Sequence, residues 1–211
     1  MRVSIEQWKQ LFGQIAEQIE VKKDELSELD RAVGDGDHGV TMSLGWQAIV
    51  EHLSQHSGQD CGALCKDMGM TFLNAVGSSV GPLYATAFMR GGAALQGKQE
   101  LEEEDIVQFW LTAIRGIQDR GKAQVGDKTM MDAWLPSMEA LETARKEGKH
   151  LIESFELAVN AAEAGMQSTA QMLSQKGRSS RLGDRSVGHI DPGAASAYLI
   201  IDTFTNGLKQ L

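Results

Sequence analysis

SIEQWKQLFGQIAEQIEVKK (residues 4–23) runs into DELSELDRAVGDGDHGVT (24–41), and the two stretches obey different rules. In the first, Ile5, Trp8, Leu11, Phe12, Ile15 and Ile19 recur at three- and four-residue spacing, which predicts an amphipathic helix capped by Ser4. In the second, a short turn carrying Leu26 and Leu29 leads into a glycine- and aspartate-rich loop with no period at all. The helical period resumes over 42–53 with Leu44, Trp46, Ile49, Val50 and Leu53. Working outward, the same pattern predicts helices over about 60–75, 82–95, 102–119, 130–146, 151–174 and 192–207, which makes eight. Strand-like alternation is nearly absent, and Ala, Leu, Met, Gln and Glu fill the long segments, so the class is all-α. The 23 glycines gather at DGDHG, GSSVG, RGG and HIDPG, and so mark joints between helices. Residues 1–211 show no linker composition and no internal repeat, so one domain is expected. The long irregular segments 30–41, 76–82, 120–129 and 176–193 separate alternate pairs of helices. In an up-and-down bundle they would converge on one rim, where a site is expected.

Charge narrows the function. Lys and Arg number 20 against 29 Asp and Glu, a net −9, which argues against a broad nucleic-acid footprint. No apolar run approaches the roughly 18–20 residues of a membrane span, and MRVSIEQWKQLF lacks the layout of a signal peptide, so a cytoplasmic protein is expected. The run Glu100 to Asp105 is expected to be the solvated start of a helix. Cys61 and Cys65, four residues apart on a helix, are expected as reduced core thiols. The four tryptophans and the Met68, Met70, Met130 and Met131 side chains are assigned to the core, with Met130 placed to line an adenine pocket as well.

The densest chemistry is Asp30, Asp35 and Asp37 within eight residues, carboxylates that repel one another unless a cation or strong donors offset them. Oxygen-only ligands suit magnesium, and the string lacks the spelling of a calcium EF-hand. His38, Gly39 and Thr41 follow at a helix start, where backbone N–H groups favour an anion. VGSSVGP (76–82) offers small residues before another helix. RGKAQVGDKTM (120–130) mixes cations with glycine, and KGRSSRLGDRSVGHIDPG (176–193) adds Arg178, Arg181 and Arg185. Carboxylates on one joint and cations plus helix starts on the others are what polyphosphate binding requires. The near-matches to a P-loop at Gly116–Ala123 and Gly92–Gln99 lack the Ser/Thr and the preceding strand, and no serine-hydrolase, zinc-peptidase or C-x-x-C motif is present.

LDRAVGDGDHGVTM, MTFLNAVGSSVGPLYATAF, RGKAQVGDKTMMDAWLP and KGRSSRLGDRSVGHIDPGAASA, in this order over nearly the whole chain, resemble the ADP-binding L subunits of dihydroxyacetone kinase, separate-chain members of the DAK2-type nucleotide-binding domain. The resemblance implies an eight-helix up-and-down antiparallel barrel with the nucleotide site on the loop rim at one end. It implies that Asp30, Asp35 and Asp37 hold two magnesium ions, and that His38, Gly39, Val40, Thr41, Ser79, Val80, Gly121, Met130, Arg178, Asp191, Pro192 and Gly193 contact ADP or ATP. The family usually spells the second loop GGASGPL, and Val80 stands here where serine is common. If that serine's hydroxyl touches phosphate, a contact of roughly 1.5–3 kcal/mol is missing.

The implied activity is a phosphotransferase subunit. The L chain presents the magnesium nucleotide, a separate K subunit holds dihydroxyacetone on its own histidine, and no catalytic residue beyond the metal–nucleotide site is expected in the L chain. The GDGDHG and GHIDPG spellings look more like the phosphoenolpyruvate-dependent branch, in which a phosphocarrier M subunit recharges bound ADP. The alternatives are an ATP-exchanging kinase subunit for a keto-tetrose such as erythrulose and a non-catalytic regulatory module. A magnesium phosphohydrolase would leave three of the loops without a task. The assembly state, a homodimer included, stays open.

Overall fold

A computed structural model describes residues 1–55 and 60–211. The chain is all-α apart from two three-residue strands, β1 (Arg2–Ser4) and β2 (Glu100–Glu102), which pair antiparallel with Val3 opposite Leu101. Both of those apolar side chains are fully buried, so even this small ribbon is anchored by core contact. Among the described residues the helices are α1 (Ile5–Val21), α2 (Lys23–Val33), α3 (His38–Gln55), α4 (Cys61–Ala75), α5 (Val80–Ala93), α6 (Glu103–Gly121), α7 (Met131–Lys146), α8 (Leu151–Ser168) and α9 (Pro192–Leu208).

The ninth helix corrects the expected count of eight. Residues 24–29, read as a turn, belong to α2, whose buried face contains Ser27 and Asp30 beside Leu26 and Val33. A face half made of polar groups carries little apolar period. The end of the helix expected over 151–174 is also corrected: α8 stops at Ser168, and a 3₁₀ turn over Thr169–Gln171 follows.

Ser4 caps α1 as expected, and does so in a capping box. Its hydroxyl accepts from the Gln7 N–H, and the Gln7 side chain accepts from the Ser4 N–H. Asp60 caps α4 and Asp191 caps α9 through their carboxylates. Helix contacts run from α1 to α3, α4, α5, α6, α7, α8, α9 and back to α1, with α2 laid against α3 and α9. Inside that ring Trp8 meets Phe12, Phe109 and Phe204 edge to face at 5.0, 5.0 and 5.7 Å, and Trp110 stacks on Trp134 at 5.6 Å.

Several glycines sit inside helices rather than at joints, which corrects the expected division. A Cβ on Gly45 would lie 2.3 Å from the Phe72 ring, and one on Gly91 2.6 Å from Phe109. Gly165 lets α8 approach the carbonyl of Asp132, where a Cβ would come within 1.9 Å. That carbonyl is the one Pro136, inside α7, leaves without its usual helix donor.

All four tryptophans are buried, as are Met68, Met130 and Met131, whereas Met70 and Leu44 are exposed and leave the predicted core. Cys61 and Cys65 are free buried thiols. The acidic run from Glu100 is tied down rather than merely solvated. Arg2 meets Glu100 and Glu102, Glu103 takes the N-terminal ammonium at 2.9 Å and Arg145 at 3.4 Å, and Asp105 takes Lys98 at 2.7 Å. No helix among the described residues is long and apolar enough to cross a membrane.

Candidate functional site

Four connections meet at one open cavity of about 730 Å³. Its wall is built from the C-terminal half of α2 and the loop after it, the loops before α5 and α7, the end of α6, and the segment from Gln175 to Gly193. The N-termini of α3, α5, α7 and α9 all open on it through His38, Val80, Met131 and Pro192. Each N-terminus carries partial positive charge and donor N–H groups, so the cavity is disposed toward an anion despite the acidic chain.

Asp30, Asp35 and Asp37 come together on one side, each offering a carboxylate oxygen within 4.8 Å of the others. Asp30 projects from α2, and its Oδ2 accepts the N–H groups of Asp37 at 2.9 Å and His38 at 3.2 Å. That carboxylate therefore caps α3 and fixes the loop bearing the other two acids. Gly36, at φ 78, provides the left-handed turn between them. The Arg178 guanidinium contacts Asp35 and lies 3.7 Å from Asp37, occupying the place where a cation offsets the acids. An oxygen-only donor set with a positive group already drawn to it fits a hard divalent cation.

His38 is buried, and its Nε2 lies 2.9 Å from the Ser196 hydroxyl, which donates to the Gly193 carbonyl at 3.0 Å. Burial pushes the His38 pKa down to about 4, against a smaller upward pull from Asp30, so the imidazole is neutral at pH 7. It orients α9 against α3 rather than supplying charge. Asp191, also buried, caps α9 by accepting from Ala194 at 2.8 Å. Burial raises its pKa to about 7; the Ala194 N–H and Lys128 pull it down, while Asp132 and Asp30 push it up.

Asp30, Asp35, Asp37, His38, Thr41, Ser79, Val80, Gly121, Met130, Arg178, Asp191, Pro192 and Gly193 all line the cavity. Gly39 and Val40 do not: Gly39 is buried where α3 presses on α2, and Val40 is exposed. Val80 turns its side chain partly into the core, and its N–H lies 3.4 Å from the Ser78 hydroxyl. Met130 packs at the Gly193 turn, where a Cβ on the glycine would lie 3.4 Å from the Met130 Cβ.

Sequence reasoning passed over two charged residues, Asp132 behind the wall and Lys128 within it. Asp132 is fully buried and accepts the N–H groups of Gly126 at 2.6 Å and Thr129 at 2.7 Å, while the Thr129 hydroxyl accepts from Met131 at 3.1 Å. The spelling Thr129-x-x-Asp132 at a helix start is a capping-box signal and was available in the sequence. Lys128 is buried too, and its ammonium turns away from solvent toward main-chain carbonyls. No periodicity announces that.

Residues 32–206 match the sequence profile of the DAK2 domain. The chain belongs to the DAK2 domain family. This DAK2 chain is 40% identical over 194 residues to the PEP-dependent dihydroxyacetone kinase 2, ADP-binding subunit DhaL, of Listeria innocua, covering 91% of this chain and 89% of that one. It is 38% identical over 209 residues to the ADP-binding subunit DhaL of the PEP-dependent dihydroxyacetone kinase of Escherichia coli, covering 99% and 98% of the two chains. The fold is shared with a crystal structure of the dihydroxyacetone kinase from C. freundii in complex with AMP-PNP and Mg2+. There the TM-score is 0.74 at 23% identity, over 94% of this DAK2 chain and 33% of that longer one.

Proposed function

We propose that residues 1–211 form one nucleotide-binding domain and act as the ADP-binding subunit of a phosphoenolpyruvate-dependent dihydroxyacetone kinase. The observation that carries this reading is the meeting, around one cavity, of four helix N-termini, the Asp30, Asp35 and Asp37 carboxylates and the Arg178 guanidinium. The names of the relatives that the chain matches over most of their length supply the substrate class.

In this reading Asp30, Asp35 and Asp37 hold two magnesium ions, which supply charge neutralisation to the phosphate oxygens. The start of α3, through His38 and Thr41, and the start of α5, through Ser79 and Val80, face the phosphates, while Gly39 and Val40 stand off the cavity. Gly121 and Met130 border the base, and Asp191, Pro192 and Gly193 close the cavity at the start of α9. Arg178, which now meets Asp35 and lies near Asp37, would be placed to bind phosphate oxygens instead, since a guanidinium forks onto either carboxylate or phosphate. Phosphoryl transfer needs alignment and charge balance more than a base, and the His38 imidazole on the cavity wall is buried. Dihydroxyacetone is held on a separate K subunit, and an M phosphocarrier subunit recharges the ADP in the cytoplasm.

The test is reconstitution. The wild-type chain with its K and M partners, phosphoenolpyruvate and the general phosphotransferase proteins is expected to form dihydroxyacetone phosphate. Asp35→Ala and Asp37→Ala are expected to lose ADP on dialysis and to abolish turnover, with helicity by circular dichroism intact. ADP retained by both variants would remove those acids from the metal site, and no turnover by an intact wild-type assembly would refute the kinase reading.

A further inference from the structure

Lys128 lies in the cavity wall, yet it is the most completely buried cation in the described chain, 1% exposed, and its ammonium is turned to main-chain carbonyls. Its backbone is left-handed, at φ 59. Its Nζ donates to the carbonyls of Thr169 at 2.7 Å, Ser186 at 2.6 Å and His189 at 2.6 Å, with Met172 at 3.3 Å. An ammonium has three protons, so the three short bonds use all of them and none remains for a phosphate. Every acceptor lies in the single connection between α8 and α9, the segment that carries Arg178. The acceptors come from both ends of that segment, and Lys128 is where the ends are gathered.

The segment has no long helix to hold its shape. It is 3₁₀ turn and irregular chain, with Gly177, Gly183 and Gly188 at positive φ. Its remaining ties include Gly188 N–H to the Ala170 carbonyl at 2.7 Å, Ser174 N–H to the Ser186 hydroxyl at 3.0 Å and Gln175 N–H to the Asp127 carbonyl at 3.1 Å. These are neutral bonds, each worth about half of a charge-assisted one; the charged ties, Lys176 to Asp127 and to the Lys122 carbonyl and Arg178 to Asp35, come from exposed or half-exposed side chains in the middle of the segment and leave its two ends to Lys128. A buried ammonium is retained at such a place only when its bonds and nearby carboxylates offset its desolvation. Here the three carbonyl bonds hold the ammonium, and Asp191 and Asp132 favour its charged form, while burial, the larger effect, lowers its pKa.

We propose that Lys128 is a positioning residue: its buried ammonium fixes the 169–189 segment so that Arg178 stands over Asp35 and Asp37. The consequence for ligand affinity rests on the nucleotide reading above; the ordering of the segment does not. The test compares full-length wild type with Lys128→Gly, which tolerates the left-handed backbone and removes the ammonium, and Lys128→Met, which keeps the stem and removes the charge. In both variants amide exchange is expected to accelerate over 172–188 and to stay at the wild-type rate in α7 and α8. Affinity for magnesium ADP by calorimetry is expected to fall about tenfold, as when one charge-assisted contact is no longer held in place. Butylammonium is expected to restore both readouts in Lys128→Gly and neither in Lys128→Met, a rescue that a merely structural side chain would not give. Wild-type exchange over 172–188 in both variants would overturn the proposal. So would exchange that rises throughout the chain without rescue, or failure of both variants to fold. If wild type itself does not bind magnesium ADP, the nucleotide reading fails, and the exchange and rescue measurements still decide the role of Lys128.

Discussion

Gly39→Ala separates two roles that the same glycine has been given, a nucleotide contact and a packing contact. A Cβ at this position would lie 1.8 Å from the Lys23 carbonyl oxygen and 2.6 Å from the Ser27 hydroxyl. The obstacle at 1.8 Å is backbone, so α2 and α3 must part by at least 1.2 Å to restore a 3.0 Å contact. Overpacking costs about 1–3 kcal/mol, and a backbone obstacle puts this site in the upper part of that range, about 2–3; with about 1 kcal/mol returned by the helix preference of alanine over glycine, the net loss is about 1–2 kcal/mol. At about 2–4 °C per kcal/mol for a chain of this size, the midpoint should fall by about 2–8 °C. The same displacement carries Asp30 away from the Asp37 and His38 N–H groups it now holds at 2.9 and 3.2 Å, so the acidic trio loosens as well. Thermal and urea unfolding, with magnesium ADP calorimetry beside them, read both effects. Gly13→Ala is the control: with no atom near its Cβ it should stabilise α1 by about 0.5–1 kcal/mol. Gly39→Ala that is as stable as wild type, with undiminished binding, would refute the close approach of α2 and α3 and its link to the site.

Asp191 predicts a pH dependence opposite to that of an ordinary carboxylate. Its pKa is about 7 in the fold against 3.8 for the free side chain, so between those values the native state keeps a proton that the unfolded state has released. Its contribution to stability therefore declines as pH rises through that window. Asp191→Asn keeps a capping oxygen and removes the titration. Its stability relative to wild type, from urea unfolding without nucleotide, should climb from pH 4 to 7, and a difference that stays flat would refute the assignment. The thiols give a simpler check. Burial pushes Cys61 to about 11 and Cys65 to about 12, and the Trp8 indole N–H lies 3.4 Å from the Cys65 sulfur. Neither should react with a thiol reagent in native buffer at pH 8, and both should react in denaturant.

The helices whose apolar residues recur cleanly were legible, down to the Ser4 cap and the start of α9 at Pro192. The helix that was not legible, α2, buries Ser27 and Asp30, so its inner face looks polar until one sees that Asp30 is turned toward the ends of α3. The acids at 30–37 and the arginine at 178 were visible as chemistry. Their contact was not, because about 140 residues of chain lie between them and only the ring of helices brings them together.

By itself, then, the sequence determined the all-α class, most helix limits, the core aromatics and the residue types of an oxygen-ligand, anion-binding rim, since those follow from local periodicity and side-chain chemistry. Tertiary structure alone decided that Gly39 is a packing contact, that His38 is neutral, and that Lys128 spends its charge on the carbonyls of a distant loop. Each depends on desolvation or on the approach of two backbones, quantities that belong to a position in space and leave no mark on the order of residues.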